Sequence, residues 1–328
     1  MERIEVDPVA PDPRVIAHAA ELLRHGGLVA FPTETVYGLG ANALDPAAVE
    51  RIYVAKGRPA YNPLIVHIDR AERAPDVVRE WTARADCLAR AFWPGPLTMV
   101  LLKRSVVPDS VTAGLPSVAV RVPAHPVAEA LLAAAAIPVA APSANRSTRL
   151  SPTTGAHVAK SLGDAVDLIL DAGSTPVGIE STVVDLTIDP PRLLRPGTIS
   201  IPQLEAVIGP VATSRATPEN EARPSPGMLD KHYAPRARLV LVDPDDVGIR
   251  VDQERANGFR VGALTIEATV EPSPSVLRLP ADALGYAAVL YESLHVLDDI
   301  QCDVIVVERV PDSPEWLGVR DRLERGAR

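Results

Sequence analysis

Lys56 and Arg58 stand two apart in "KGRP", around Gly57 and just before Pro59. Two cations on a turn can hold an anion by charge and donated hydrogen bonds, or be a solvated loop and nothing more. The 328-residue chain offers further cations of this kind: Arg121 near the end of "SVAVRV" and Arg195 before the Pro-Gly turn of "LLRPGT". Hydroxyls and amides accompany them. Thr35 lies in "FPTETVYGLGANA", Ser143, Asn145 and Ser147 in "VAAPSANRS", and Ser181 and Thr182 in "GIESTVVDL". Small polar groups at strand ends suit a phosphate, a ribose or a carboxylate. Taken singly, each is equally a self-capping turn. The pair Gly38 and Gly40 either lets backbone N–H groups approach a ligand or makes an ordinary tight turn. Taken together, Lys56, Arg58, Arg121 and Arg195 with Thr35, Ser143 and Ser181 point to an anionic ligand held at strand ends.

Other chemistries lack their residues. No G-x-x-x-x-G-K-[ST] and no G-x-G-x-x-G occurs, so a nucleotide would have to be held in another way. No G-x-S-x-G elbow and no H-E-x-x-H occurs. His67 falls mid-strand and His125 beside prolines, neither with an evident nucleophile partner, and His67 reads equally as a core residue. Glu34 and Glu180 bear either on a magnesium ion or on structure, and their spacing leaves both open. Cys87 and Cys302 are the only cysteines, too few for a disulfide framework or a cysteine-ligated zinc.

The elements that must position these residues can be read from apolar periodicity. Residues 14–25 form a helical face ended by Gly26-Gly27, and "GLVAF" is a buried strand. "PAAVERIYVAK" is a helix that delivers Lys56 at its C-terminal end. "PLIVHI", "LTMVLL", "SVAVRV", "IPVAAP", "DLILDAG", "STVVDL" and "PRLLRPG" read as strands, and "PVAEALLAAAA" as a helix. Strands and helices mix without strict alternation, so a first domain over residues 1–210 is expected as an open mixed β-sheet flanked by helices. Residues 211–237 are polar and proline-rich and read as a linker. Residues 238–328 alternate strand and helix, a small Rossmann-like α/β domain with a mostly parallel sheet.

Composition narrows the partners. A formal net charge of -9 argues against a broad nucleic-acid surface, and three Phe, three Trp and six Tyr leave few stacking platforms. An RNA-binding translation or ribosome-assembly module is the rival reading, with RNA contact at most weak. No apolar run approaches ~18 residues, so no membrane span is expected. The charged start "MERIEVDPVAPDP" has no signal-peptide core. A cytoplasmic protein is expected.

The order of "PTETVYGLGANA", "KGRP–NPL", "WPGPLT", "VAVRVPAHP", "PSANRS", "GIESTVVD", "LRPGTIS" and "SPGMLDKHYAP" resembles the YrdC-like threonylcarbamoyl-AMP synthases, in their long form with a C-terminal domain. The motifs run from residue 14 to about 237. The resemblance implies a nucleotidyltransferase that condenses L-threonine, bicarbonate or carbon dioxide, and ATP. The products would be L-threonylcarbamoyl-AMP and pyrophosphate, the first step of a tRNA modification, with possible hand-over to a separate transferase. It implies Mg2+ with ATP and the signature Lys56, Arg58, Ser143 and Asn145. By the same resemblance Thr35, His67, Arg121, the backbone at Ala141, and Ser181 hold threonine. Arg58, Asn62, Ser117, Ser143, Ser151, Arg195 and Tyr233 hold ATP, with Lys56 near the phosphates. The proline-rigid "SPGMLDKHYAP" could then lie over the site as a lid.

Overall fold

The computed structural model describes residues 1–213 and 233–328. Residues 214–232, most of the expected linker and lid, lie outside the described residues. The strands of the first part are β1 (Glu2–Glu5), β2 (Val29–Phe31), β3 (Gly38–Asn42), β4 (Ile65–His67), β5 (Leu97–Leu102), β6 (Ser117–Arg121), β7 (Val139–Ala140), β8 (Leu168–Asp171), β9 (Thr182–Asp185), β10 (Arg192–Arg195) and β11 (Ala212–Thr213). They form one mixed sheet in the order β1-β8-β2-β3-β7-β4-β6-β5-β9-β10-β11. β11 pairs with β10 through Arg192↔Ala212, so the sheet continues into the first residues of the expected linker.

Alternation of side chains puts both faces of this sheet to use. Ala30, Leu39, Ala41, Ala140 and Ile169 join one core with Val49 and Ile52 of the helix Pro46–Lys56 and Leu88 of the helix Ala83–Phe92. Val29, Phe31, Val139, Leu168 and Leu170 point the other way, onto Leu23 of the helix Pro13–Arg24 and Leu131 of the helix Pro126–Ala135. Over the middle strands the second face carries only a small apolar group: Ile65, Val100, Ala119, Val183 and Leu194.

The glycine pair of "YGLG" corrects the turn reading. Gly38 and Gly40 lie within β3, antiparallel to β2 with Val29↔Gly40 and Phe31↔Gly38 in register. A Cβ on Gly40 would stand 2.8 Å from the Phe31 ring and 3.0 Å from Val139 Cγ1. The missing side chain makes room for that ring, which is why a residue of poor strand propensity sits in a strand.

The second part has four parallel strands, β12 (Arg238–Val242), β13 (Val261–Thr265), β14 (Val276–Arg278) and β15 (Val304–Glu308), in the order β12-β15-β13-β14. The helix Val247–Ala256 covers one face, and the helices Ala283–Asp299 and Leu317–Gly326 cover the other. This is the doubly wound arrangement expected. Its second core does not stop at the domain: Val36, Leu150 and Ile179 from the first part belong to it. Gly178, at φ 77°, passes so close that a Cβ would lie 2.2 Å from the Ala287 carbonyl oxygen.

Candidate active site

The helix Pro46–Lys56 explains the geometry of "KGRP". Asp45 caps it by accepting the Ala47 N–H, and Pro46 occupies the first turn, where its missing N–H costs nothing. Gly57 then ends it in the left-handed region at φ 58°, where glycine carries no Cβ penalty. Lys56 therefore points from the last helical turn, and Arg58 follows a sharp reversal. Lys56 is buried, and its Nζ donates to the carbonyl oxygens of Ser143 and Asn145, each at 2.5 Å. The Ser147 N–H returns a bond to the Lys56 carbonyl at 2.8 Å. Arg58 donates from Nε to the Asn62 carbonyl at 3.0 Å and from Nη2 to the Pro63 carbonyl at 2.9 Å.

A pocket of about 500 Å³, counting the space that opens to solvent, lies against Ile65 at this place. Thr33 and Thr35 after β2, Gly38 on β3, His67 and Arg121 at the ends of β4 and β6, and Ala141 and Ser143 after β7 line it. Arg58, Glu180, Arg195 and Tyr233 complete the wall. His67 and Arg121 are register partners on neighbouring parallel strands, so their side chains start side by side. Carboxyl ends of parallel strands are where open α/β sheets place ligands.

The charges are held in a way that favours an anion. The cationic groups Lys56 and Arg58 bond to backbone carbonyls, which orient them without cancelling their charge. Burial pushes Lys56 well below the ordinary lysine range, with the Arg58 charge adding to the effect. Burial likewise pushes Arg58 down to about 10 and lowers Arg195. A buried cation under such pressure is relieved by a negatively charged ligand. Arg195 donates from Nε to the Ser181 carbonyl and from Nη2 to Ser181 Oγ, both at 3.0 Å.

Arg121 Nη2 lies 2.8 Å from Glu34 Oε1, an ion pair without hydrogen-bond alignment. Among the described residues, that nitrogen, both Glu34 oxygens and His67 Nδ1 are buried with no hydrogen-bond partner. Burial, with the Arg121 charge beside it, pushes His67 down to about 3, so its imidazole is neutral near pH 7. Such orphaned groups are costly in a finished core and expected where a polar ligand completes the bonding.

Glu180 faces the pocket from a fully occupied position. Ser151 Oγ donates to Oε1, Tyr291 OH to Oε2 at 3.1 Å, and Arg322 Nε to Oε2 at 2.7 Å. Burial alone would raise its pKa; Arg322 and Arg195 outweigh that and hold it at about 2. Of the two readings open for Glu180 in the sequence, this arrangement favours the structural one.

The residues expected in the site fall into layers. Thr35, Arg58, His67, Arg121, Ala141, Ser143, Arg195 and Tyr233 line the pocket. Lys56, Asn145, Ser151 and Ser181 stand behind it, three of them one hydrogen bond from a lining residue: Lys56 to Ser143, Ser151 to Glu180 and Ser181 to Arg195. Asn145 takes its place through Lys56, and its Oδ1 has no partner among the described residues. Asn62 supplies its carbonyl to Arg58, while both its side-chain polar atoms lack hydrogen-bond partners among the described residues. Ser117 starts β6, four residues along the strand from Arg121 and about 13 Å away at strand rise. It does not line the pocket. Sequence reasoning missed Thr33, the role of Glu180, and Tyr291 and Arg322 from the second domain. No local signal marks Arg322, since "VRDRLERG" reads as the charged face of a surface helix.

Comparisons with known proteins identify the family. A family profile described as "Telomere recombination", spanning Sua5, YciO and YrdC proteins, matches residues 21–197. A second, "Threonylcarbamoyl-AMP synthase, C-terminal domain", matches residues 199–328. The threonylcarbamoyl-AMP synthase of Bacillus subtilis is 44% identical over 324 residues, covering 96% of this chain and 93% of its own. That of Pyrococcus abyssi is 44% identical over 94% of this chain and 93% of its own. The crystal structure of P. abyssi Sua5 complexed with L-threonine superposes with a TM-score of 0.94 at 41% identity, covering all of this chain and 98% of that one. The structure of E. coli YciO, 27% identical with a TM-score of 0.53, covers 60% of this chain. The chain belongs to the Sua5/YrdC family of threonylcarbamoyl-AMP synthases, in the form that carries the additional C-terminal domain.

Proposed function

We propose that the chain works as an L-threonylcarbamoyladenylate synthase, a nucleotidyltransferase that uses the pocket between His67, Arg121 and Arg58 as its active site. The reaction consumes L-threonine, bicarbonate or carbon dioxide, and ATP. It forms L-threonylcarbamoyl-AMP and pyrophosphate, the first step of N6-threonylcarbamoyladenosine formation in tRNA. The observation that carries the reading is the buried pair of Arg121 Nη2, ion-paired with Glu34 but out of hydrogen-bond alignment, and His67 Nδ1, beside Thr35 and facing cations held on backbone carbonyls. One group of donors awaits a small zwitterion and the other a polyanion.

The chemistry asks little of the protein as nucleophile. The ammonium of threonine gives up a proton, the free amine adds to carbon dioxide, and loss of a second proton from nitrogen leaves the carbamate. A carbamate oxygen attacks the α-phosphorus of ATP in line, the bond to the β-phosphate breaks, and pyrophosphate leaves. The protein positions two anions against each other and neutralises charge on the transferring phosphate. Arg121 takes the threonine carboxylate, for which a guanidinium fork has the matching geometry. Thr35, neutral His67, the backbone at Ala141, and Ser181 hold the rest of that substrate. Arg58, Asn62, Ser143, Ser151, Arg195 and Tyr233 hold ATP, with Lys56 bracing Ser143 and Asn145 at the phosphates. Ser117 belongs to this set by resemblance alone. A buried pocket protects the carbamate from loss to water.

Magnesium would enter with ATP, screening the charge of its phosphates. Among the described residues no cluster of three or more His, Cys, Asp or Glu makes a ready cage. That suits an ion held mainly by substrate phosphates and water. No helix among the described residues is long and apolar enough to cross a membrane. We place the enzyme in the cytoplasm, handing its labile product to a tRNA-modifying transferase.

The test is pyrophosphate release from ATP with magnesium, bicarbonate and each amino acid in turn. Release that depends on threonine and on bicarbonate together supports the reading. ATP binding with no turnover for any amino acid overturns it.

A further inference from the structure

The second domain has the architecture of a nucleotide binder, and its crevice is already filled. The strand order reverses between β15 and β13, where a doubly wound sheet opens its ligand crevice. There the buried carboxylate of Glu308 accepts the N–H groups of Ile266 at 2.6 Å, Glu267 at 3.1 Å and Ala268 at 3.0 Å. Those amides form the kind of anion-binding concavity that would take a phosphate. A side chain of the domain itself occupies it.

What the domain offers instead are two helices pressed onto the pocket wall. Arg322, only 1% exposed, touches three parts of that wall at once. Its Nε donates to Glu180, its Nη1 donates to the carbonyl of Pro196 at 2.9 Å, and its guanidinium lies 4.9 Å from the centre of the Tyr233 ring. Pro196 directly follows Arg195. Tyr291, from the helix Ala283–Asp299, donates to the same Glu180 oxygen as Arg322, and His295 one turn later meets the Ser151 carbonyl at 3.1 Å. Ser151, Arg195 and Tyr233 are three of the residues assigned above to ATP, and each is reached from the second domain directly or through Glu180. A buried ion pair is a poor device for stability alone, because desolvation offsets much of the attraction. It is a good device for fixing geometry, since a guanidinium fork has few acceptable poses.

We propose that Arg322 and Tyr291 are positioning residues for the adenylation site: they hold Glu180, and through it Ser151, while Arg322 also steadies Tyr233 and the chain at Arg195 directly, in the arrangement that binds ATP. In this reading the C-terminal domain is a structural part of the active site rather than a separate ligand-binding module. The inference rests on the ATP side of the site proposed above.

The test uses the full chain with Arg322→Met, Tyr291→Phe, Glu180→Gln and the double variant Glu180→Gln/Arg322→Met. KM for ATP and kcat are read from threonine-dependent pyrophosphate release, and ATP affinity from calorimetry. Arg322→Met strands a buried carboxylate and is expected to raise the KM for ATP by about tenfold or more, the scale on which small displacements act in active sites. The deficit should shrink as pH is lowered, because the stranded Glu180 then takes up a proton and loses its unpaired charge. Glu180→Gln/Arg322→Met should recover most of the loss, and Tyr291→Phe should show a smaller loss in the same direction. A folded Arg322→Met with unaltered ATP affinity overturns the proposal, as does a double variant no better than the single one. If Arg322→Met does not fold, Arg322→Lys takes its place, keeping the charge but losing the fork; an unchanged KM there overturns the proposal equally. Wild-type turnover that ignored threonine would instead sink the functional reading. Threonine-dependent turnover with an indifferent Arg322→Met sinks this inference alone.

Discussion

Lys56 Nζ bonds at 2.5 Å to the carbonyl oxygens of both Ser143 and Asn145, joining the end of one helix to the loop that follows β7. No carboxylate enters that bonding. Its charge is therefore spent on orienting the loop and on whatever anion the loop receives. Lys56→Ala should lower kcat/KM for ATP by about a hundredfold or more, the scale for losing one preorganised donor at a developing charge. Thermal unfolding should shift little, because the same change also removes a desolvated cation. Pyrophosphate release and calorimetric unfolding on one preparation check both halves.

Arg121 is assigned to the threonine carboxylate, and its neighbour Glu34 holds it without a hydrogen bond. Arg121→Lys keeps the charge but loses the fork, so it should not substitute. The expected result is a KM for threonine raised by at least about tenfold, the cost of ~1.4 kcal/mol of binding. ATP affinity measured without threonine should stay near that of the wild type. An equal loss for both ligands would place Arg121 in the general scaffold instead.

Acid should weaken the fold in a defined window. His67 and His295 are both pushed by burial from the ordinary 6.5 to about 3. Between those pH values the unfolded chain binds protons that the native chain refuses, so stability falls as pH falls through the window. Glu180 has the opposite origin and the same direction. Burial would raise it, but Arg322 and Arg195 hold it at about 2, so its contribution is present above its ordinary 4.5 and fades as pH drops towards 2. Melting temperatures from pH 7.5 down to 4 should decline steadily. His295→Gln should flatten part of that slope, and a level wild-type profile would contradict the account.

Gly178 tests how tightly the two domains dock. It combines φ 77° with a Cβ position 2.2 Å from the Ala287 carbonyl oxygen. Gly178→Ala must strain the backbone and push the helix Ala283–Asp299 away, at a cost of about 2 kcal/mol or more. Melting temperature should drop, and the KM for ATP should rise with it, because Tyr291 rides on the displaced helix. Gly57→Ala, at φ 58° but with open space around it, should cost stability through the backbone alone.

Much of this was legible from residue order. The stretch "PAAVERIYVAK" marks the helix that delivers Lys56, and apolar runs mark the strands that carry His67 and Arg121. The anionic reading followed from cations at strand ends. β3 was hidden because Gly38 and Gly40 punctuate like a turn, while their use depends on the Phe31 ring on a neighbouring strand. β1, "ERIE", is charged and carries no strand signal of its own; it is held by parallel pairing to β8. Glu180 was ambiguous because its meaning depends on Arg322, 142 positions away in sequence. Spacing reports neighbours along the chain, and that pairing arises from the docking of two domains.

The most direct test is the identity of the product. The enzyme would be incubated with ATP, magnesium, L-threonine and carbon-13 bicarbonate, and the nucleotide fraction read at once by mass spectrometry. The account predicts a threonine adduct of AMP joined through one additional carbonyl that carries the label, formed in step with pyrophosphate. Only AMP, ADP or an unlabelled threonyl adenylate would contradict it.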